Sequence, residues 1–325
     1  MTSVSDVGAG PGEGCSTAVR SPAVDDVRGA ALAASVADLE SLSRFGGGHL
    51  DDRAEQAATG AADLGLDVLE QRARLVQADL LGRRGNIAEA GRRAHEIHRW
   101  AIDHEAQHLQ ARSSFVLAAV FQELGDLSLA LEHAVRAVEL LPDDASPEAR
   151  IDHLGRLADC LGLSGDTGAR DRYDDVLRRA EDLGDVERQL LVLNNRAYCE
   201  TVSGAYAEAL TWSSALQDLA AAHDMPVRLG RLDTIGRALL ELGRLEEAET
   251  ALLPGLRSDV LATSVDGDAG ADFLLTLAEI RRRRGHLDGM HQHRAAQPGR
   301  HPAGGRAAFR PGPGLAPTSR RNPPG

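Results

Sequence analysis

Lysine is absent from this 325-residue chain; all 36 basic residues are arginine. With the Ala and Gly load, that is the signature of a high-GC bacterial gene and not of a function. Aromatic residues make up only 3% of the chain, so its core has to be aliphatic and Ala-rich, which suits closely packed helices better than sheets. Cysteine is scarce: Cys15, Cys160 and Cys199 stand alone, form no C-x-x-C and imply no disulfide framework, which favours a reducing cytoplasm. No apolar run reaches the roughly 18 residues of a membrane span. The opening MTSVSDVGAGPGEGCSTAVRSPAV lacks the apolar stretch of a signal peptide.

The usual catalytic signatures are missing too. There is no Walker A loop, no G-x-S-x-G, and no G-x-G-x-x-G ahead of a strand. GGGHLDD at 46–52 lacks a strand–turn–helix context, so its glycines read as a loop. No enzyme and no cofactor are expected. The net charge of −13 hides an asymmetry: residues 286–325 carry six Arg and one acid, Asp288, which leaves −18 on residues 1–285. An acidic body repels phosphates, so nucleic acid is not an expected partner.

What is present is a repeat. GNIAEA, GDLSLA, GDTGAR, GAYAEA, GRLEEA and GHLDGM start at Gly85, Gly125, Gly165, Gly204, Gly243 and Gly285, spaced 40, 40, 39, 39 and 42 apart. A Gly that reaches positive φ closes the turn of a helical hairpin. The apolar residue two positions on (Ile87, Leu127, Tyr206, Leu245, Leu287) packs onto the pair, and the Ala five on (Ala90, Ala130, Ala209, Ala248) lets the helices approach. Amphipathic runs flank each Gly, for example 111–124 and 128–141. Pro142 ends one helix, and Ser146 with Pro147 caps the next.

This pattern resembles the tetratricopeptide repeat. Ala118, Phe121, Gly125, Ala130, Ala134, Ala137 and Pro142 fall on that family's signature positions, and Gly236, Leu239, Gly243 and Ala248 match again. The third hairpin is degenerate, with Arg170 where Ala is expected, and 26–64 reads as a further degenerate hairpin with Gly46–Gly48 in its turn. The expected fold is an all-α solenoid of about six such hairpins over residues 26–288, with a period of about 40. Residues 72–94 and 190–212 also resemble the N-terminal repeat region of actinobacterial diguanylate cyclase signalling proteins, although no Gly-Gly-Asp-Glu-Phe signature occurs.

Residues 1–25 and 289–325 are expected to be disordered. After Gly285 the sixth hairpin stops half finished, which leaves an apolar face for self-association. Two readings of the tail stay open: a native basic segment, or out-of-frame sequence following a truncation.

Three stretches invite chemistry. His104-Glu105-Ala106-Gln107-His108 matches the H-E-x-x-H of zinc proteases, which requires both His on one helical face. The repeat register puts 104–106 in the joint between two hairpins and His108 at the start of the next helix, so a turn is expected and no metal site. Adventitious metal binding by His95, His98, His104 and His108 is the remaining variant. Arg281–Arg284 read as the basic end of a helix, complementing its dipole. The third stretch is the groove. The resemblance implies a concave face lined by the first helix of each hairpin, and counting back from the turn Gly gives Arg72, Asp79, Phe115, Gln122, Asp159, Asn194, Asn195, Tyr198, Asp233 and Arg237. Asn195-Arg196 falls where peptide-clamping members carry Asn-Arg, but Asp159 and Gly162 stand where those members place basic partners. Asn194 and Asn195 either hold a peptide backbone or tie neighbouring helices together. The implied function is a cytoplasmic, non-enzymatic scaffold for a protein or peptide of basic or amide character; the alternative is the input module of a signalling protein without its output domain.

Overall fold

The structure, a computed structural model, describes residues 22–43, 49–226, 228–257 and 268–295. Among the described residues there are thirteen α-helices and no strand. They are α1 (Pro22–Leu42), α2 (Leu50–Asp63), α3 (Asp67–Arg83), α4 (Ile87–Asp103), α5 (Gln107–Glu123), α6 (Leu127–Glu139), α7 (Pro147–Leu163), α8 (Ala169–Asp182), α9 (Val186–Val202), α10 (Tyr206–Ala222), α11 (Leu229–Glu241), α12 (Leu245–Leu252) and α13 (Asp268–Ala295). The chain divides into two units, ending and starting at Arg281 and Arg282. The packing below concerns the first; the described part of the second, to Ala295, is helical.

The repeat glycines act as turn closers. Gly85, Gly125, Gly165, Gly204 and Gly243 all have positive φ, between 73° and 83°. At Gly125 the geometry is a Schellman motif: Asp126 N–H donates to the Phe121 carbonyl at 2.9 Å and Gly125 N–H to that of Gln122 at 3.0 Å. The expected close-contact alanines Ala90, Ala130, Ala209 and Ala248 are completely buried. In the degenerate third repeat the second helix starts late. Asp166 accepts from the Gly168 N–H at 2.7 Å, Ala169 takes the buried place, and Arg170 turns out to Glu200 at 3.1 Å.

Each helix packs on the next, and α1, α3, α5, α7, α9 and α11 also touch one another in series. The odd-numbered helices thus form an inner row, and the even ones back it. The core is a chain of small clusters, from Val36, Leu39 and Val76 at one end to Leu252, Phe273 and Ile280 at the other. The architecture is an all-α solenoid.

The ends differ from expectation. Helix α1 starts at Pro22, inside the segment expected to be disordered, because Pro is well suited to a first helical turn. No turn forms at Gly285; α13 runs through it to Ala295. The sequence after Gly285 offers Leu287 and Met290 as its only large apolar residues before Ala295, too few to hold a second helix against the first, and no Pro intervenes before Pro298. Arg281–Arg284 therefore lie inside a helix and not at its end, and Arg281 pairs with Glu249 at 3.0 Å. The six helical pairs are α1/α2 to α11/α12, so the degenerate 26–64 hairpin counts and the one expected around Gly285 does not. Residues 1–21, Gly46–Gly48, where a turn is expected, and 296–325 lie outside the described residues.

Candidate ligand-binding groove

The inner row encloses a cavity of about 280 Å³ between α3, α5, α7 and α9. That is near the lower end of the roughly 300–1,000 Å³ of ligand pockets. Helical spacing builds it. Phe115, Ala119 and Gln122 share a face of α5, Asp152, Arg156 and Asp159 a face of α7, and Val192, Asn195 and Cys199 a face of α9. Apolar walls come from Val116, Val120, Ile151 and Leu191, and Tyr173 of α8 closes the back.

Acids and bases in the cavity are largely paired with each other. Arg188 grips Asp152 with two bonds, Nε to Oδ1 at 3.0 Å and Nη2 to Oδ2 at 3.1 Å. Asp79 accepts from Ser43 at 2.9 Å and from Arg83 at 3.2 Å. Burial opposes its charge, but Arg83, Arg112 and Ser43 outweigh that and hold the carboxyl below its usual range. Asp159 accepts from the Tyr173 hydroxyl at 2.8 Å and from Asn195 Nδ2 at 3.0 Å. There burial wins, and the carboxyl is pushed up despite Arg156 and its two donors. The Phe115 ring lies 5.1 Å from the guanidinium carbons of both Arg112 and Arg156, a double cation–π contact. Arg156 is the least satisfied group. Its Nη1 reaches Gln122 Oε1 only at 3.4 Å, and its buried Nε has no acceptor among the described residues.

Of the ten positions expected in the groove, six line this cavity: Asp79, Phe115, Gln122, Asp159, Asn195 and Tyr198. The other four lie outside it. Arg72 is locked to Glu40 of α1 by bonds of 3.0 and 2.7 Å. Asp233 and Arg237 pair with each other at 2.7 Å, and Arg237 approaches Asp272 of α13 at 3.5 Å. Asn194 donates weakly to Asn195 at 3.5 Å, while its own Oδ1 is buried without a partner among the described residues. Asn195 ties α9 to α7 through Asp159 and also lines the cavity. Its neighbour Arg196 is not among the cavity-lining residues: it stacks 3.6 Å from the Trp212 ring centroid and pairs with Asp174, on the side of α8 and α10. Arg156, Arg188, Asp152 and Tyr173 also line the cavity, at positions that counting back from the turn Gly does not reach. The i, i+4, i+7 spacing of Asp152, Arg156 and Asp159 on α7 was a usable signal.

H-E-x-x-H fails geometrically. Helix α4 ends at Asp103, and Glu105 has φ +53°, in the left-handed region where a zinc helix needs helical backbone. Its Schellman bonds, Glu105 N–H to Ile102 at 3.1 Å and Ala106 N–H to Ala101 at 2.9 Å, repeat those of the glycine turns. Gly65 and Gly184 occupy the same place in two other joints, also with positive φ. His104 stacks on Trp100 with centroids 4.0 Å apart, whereas His95 and His98 face His133, each at 6.2 Å. Among the described residues no three His, Cys, Asp or Glu side chains gather as metal ligands, and no helix is long and apolar enough to cross a membrane.

No protein-family model matches the chain, and no curated protein matches it. Solved structures do. One is a Rap protein complexed with competence and sporulation factor, at 13% identity and a TM-score of 0.53, covering 78% of this chain and 80% of that one. At that identity the likeness is one of fold.

Proposed function

We propose that the chain is a non-enzymatic, cytoplasmic scaffold that binds a peptide or an extended protein segment along the inner row of helices. The observation that carries this is the cavity between α3, α5, α7 and α9, apolar in its walls and edged by the polar side chains of Gln122, Arg156, Asn195 and Tyr198. Neither nucleic acid nor a membrane is a partner in this reading. A fold neighbour solved with a bound factor supports it. An input module of a signalling protein, the role implied by the resemblance to diguanylate cyclase proteins, would use the same groove.

Panning a randomised peptide library against the full chain tests the proposal. Recovered peptides lose binding to a Tyr198→Ala, Gln122→Ala variant whose far-UV circular dichroism is unchanged. Peptides that bind both proteins equally would place the site elsewhere and sink the assignment.

A further inference from the structure

Helices α1 and α13 stand at the first and last core clusters of the array, and each is apolar on two opposite faces. On α13, Phe273, Leu277 and Ile280 are buried in the last cluster. The opposite stripe is Ala271, Leu274, Leu275 and Ala278, and it faces outward, with Leu274 50% and Leu275 68% exposed. On α1, Val36 and Leu39 are buried in the first cluster. Val27, Ala30, Ala31 and Ala34 face outward there, with Val27 70% exposed. A helix that is apolar on both sides is normally covered on both, and an outward apolar stripe marks a contact surface. Residues 296–325 offer Phe309 and Leu315 as their only large apolar side chains, too few to cover it.

The two stripes fit each other. With the helices side by side in the same direction, Val27 falls opposite Ala271, Ala30 opposite Leu274, Ala31 opposite Leu275 and Ala34 opposite Ala278. Large meets small at three of these four positions. The array packs its own helices in this way: Val120 of α5 lies over Gly91 of α4, and Leu252 of α12 over Gly236 of α11. Charge agrees with the direction. Eleven residues after Val27 the α1 stripe reaches Asp38, and eleven after Ala271 the α13 stripe reaches Arg282. A two-fold pairing of two α13 helices would leave α1 bare. A two-fold pairing of two α1 helices would set alanines against alanines and leave α13 bare.

We propose that copies of this chain associate head to tail: the outward stripe of α13 on one copy packs on the outward stripe of α1 on the next. The contact continues between chains the helix-on-helix stacking by which α1, α3 and α5 touch within one. Such an interface joins unlike surfaces, so every assembly keeps one unused α1 and one unused α13 until a ring closes. A single helix-to-helix contact is small, which makes the association weak and dependent on concentration. The proposal is independent of the groove and of any ligand in it.

Sedimentation velocity of the full chain tests this with two variants, Leu275→Glu on α13 and Ala31→Glu on α1, both at exposed positions. The weight-average mass of the wild type rises between micromolar and submillimolar concentration to at least that of a dimer. Each variant alone stays a monomer over the same range, with its far-UV circular dichroism unchanged. An equimolar mixture of the two forms a dimer and nothing larger, because Ala31→Glu chains keep an intact α13 and Leu275→Glu chains an intact α1. A wild type that stays monomeric throughout overturns the proposal. So does a variant that still associates by itself, which assigns the contact to a two-fold pairing through the helix left unchanged or to another surface. A mixture that yields no dimer overturns it as well.

Discussion

Arg188 and Asp152, one on α9 and one on α7, meet in a two-bond ion pair in which both side chains are at least 95% buried. A pair this dry is expensive to break from one side, because without Asp152 the buried Arg188 keeps its charge with only Asp185 left to balance it. Asp152→Ala is expected to lower stability by about 3–5 kcal/mol. The double change Asp152→Leu, Arg188→Met costs far less, since it removes both charges together. Urea unfolding of the three proteins measures this; equal losses in the single and double variants would mean that the pair is not the source of the effect.

The left-handed turns make a second expectation. Gly125 has φ +76° and open space around the position of an added Cβ. Gly125→Ala therefore costs only its backbone conformation, about 1–2 kcal/mol. Gly285 also has open space but sits inside a helix, so Gly285→Ala leaves stability unchanged or raises it by up to about 1 kcal/mol. Thermal melts of the two variants separate a turn from a helix at residue 285.

Between α4 and α6, His98 sits where burial, followed by the charges of His133, Arg136 and His95, pushes its pKa down to about 4. His133 is lowered as well, also by burial first. The folded protein therefore refuses a proton that the unfolded chain accepts below about 6.5. Stability is full above that pH and declines as the pH falls from about 6.5 toward 4. Urea midpoints between pH 7.5 and 4.5 follow the decline, and His98→Gln flattens it. An unchanged slope in that variant would assign the effect to other groups.

Arg196 separates packing from binding. Its contacts with Trp212 and Asp174 point away from the cavity, so Arg196→Ala lowers stability by about 0.5–2 kcal/mol while peptide affinity stays constant. A loss of affinity with stability intact would return Arg196 to the groove.

The turns and joints could be read from residue identities because their chemistry is local. Gly125 and Ala130 do the same work as Gly85 with Ala90, Gly204 with Ala209 and Gly243 with Ala248, so their spacing alone exposes them. The register that marks Gly85 and Gly125 also puts Glu105 in a joint, where its φ is +53°. Groove membership was less legible because it depends on which neighbour occupies a side chain. Arg72 and Asp79 lie seven residues apart on one helix, yet Arg72 is taken up by Glu40, while Asp79 is bonded to Ser43 and still lines the cavity. Glu40 and Ser43 belong to the least repeat-like hairpin, where the pattern is silent. The end of the array misled for a related reason. Gly285 carries the spacing of a turn but lacks the apolar second helix that makes a turn worthwhile.

Glu105 and Asp224 hold φ of 53° and 49° at joints where other repeats place Gly65 and Gly184. Each sits above its conformational minimum, and neither lines the cavity. Exchange of either for glycine relieves the strained φ, partly offset by the greater freedom of the unfolded chain. The chain has thus left stability unclaimed at sites remote from its groove. That is the condition of a protein held only above the threshold selection enforces, and it gives a tolerance reserve to anyone who redesigns the groove.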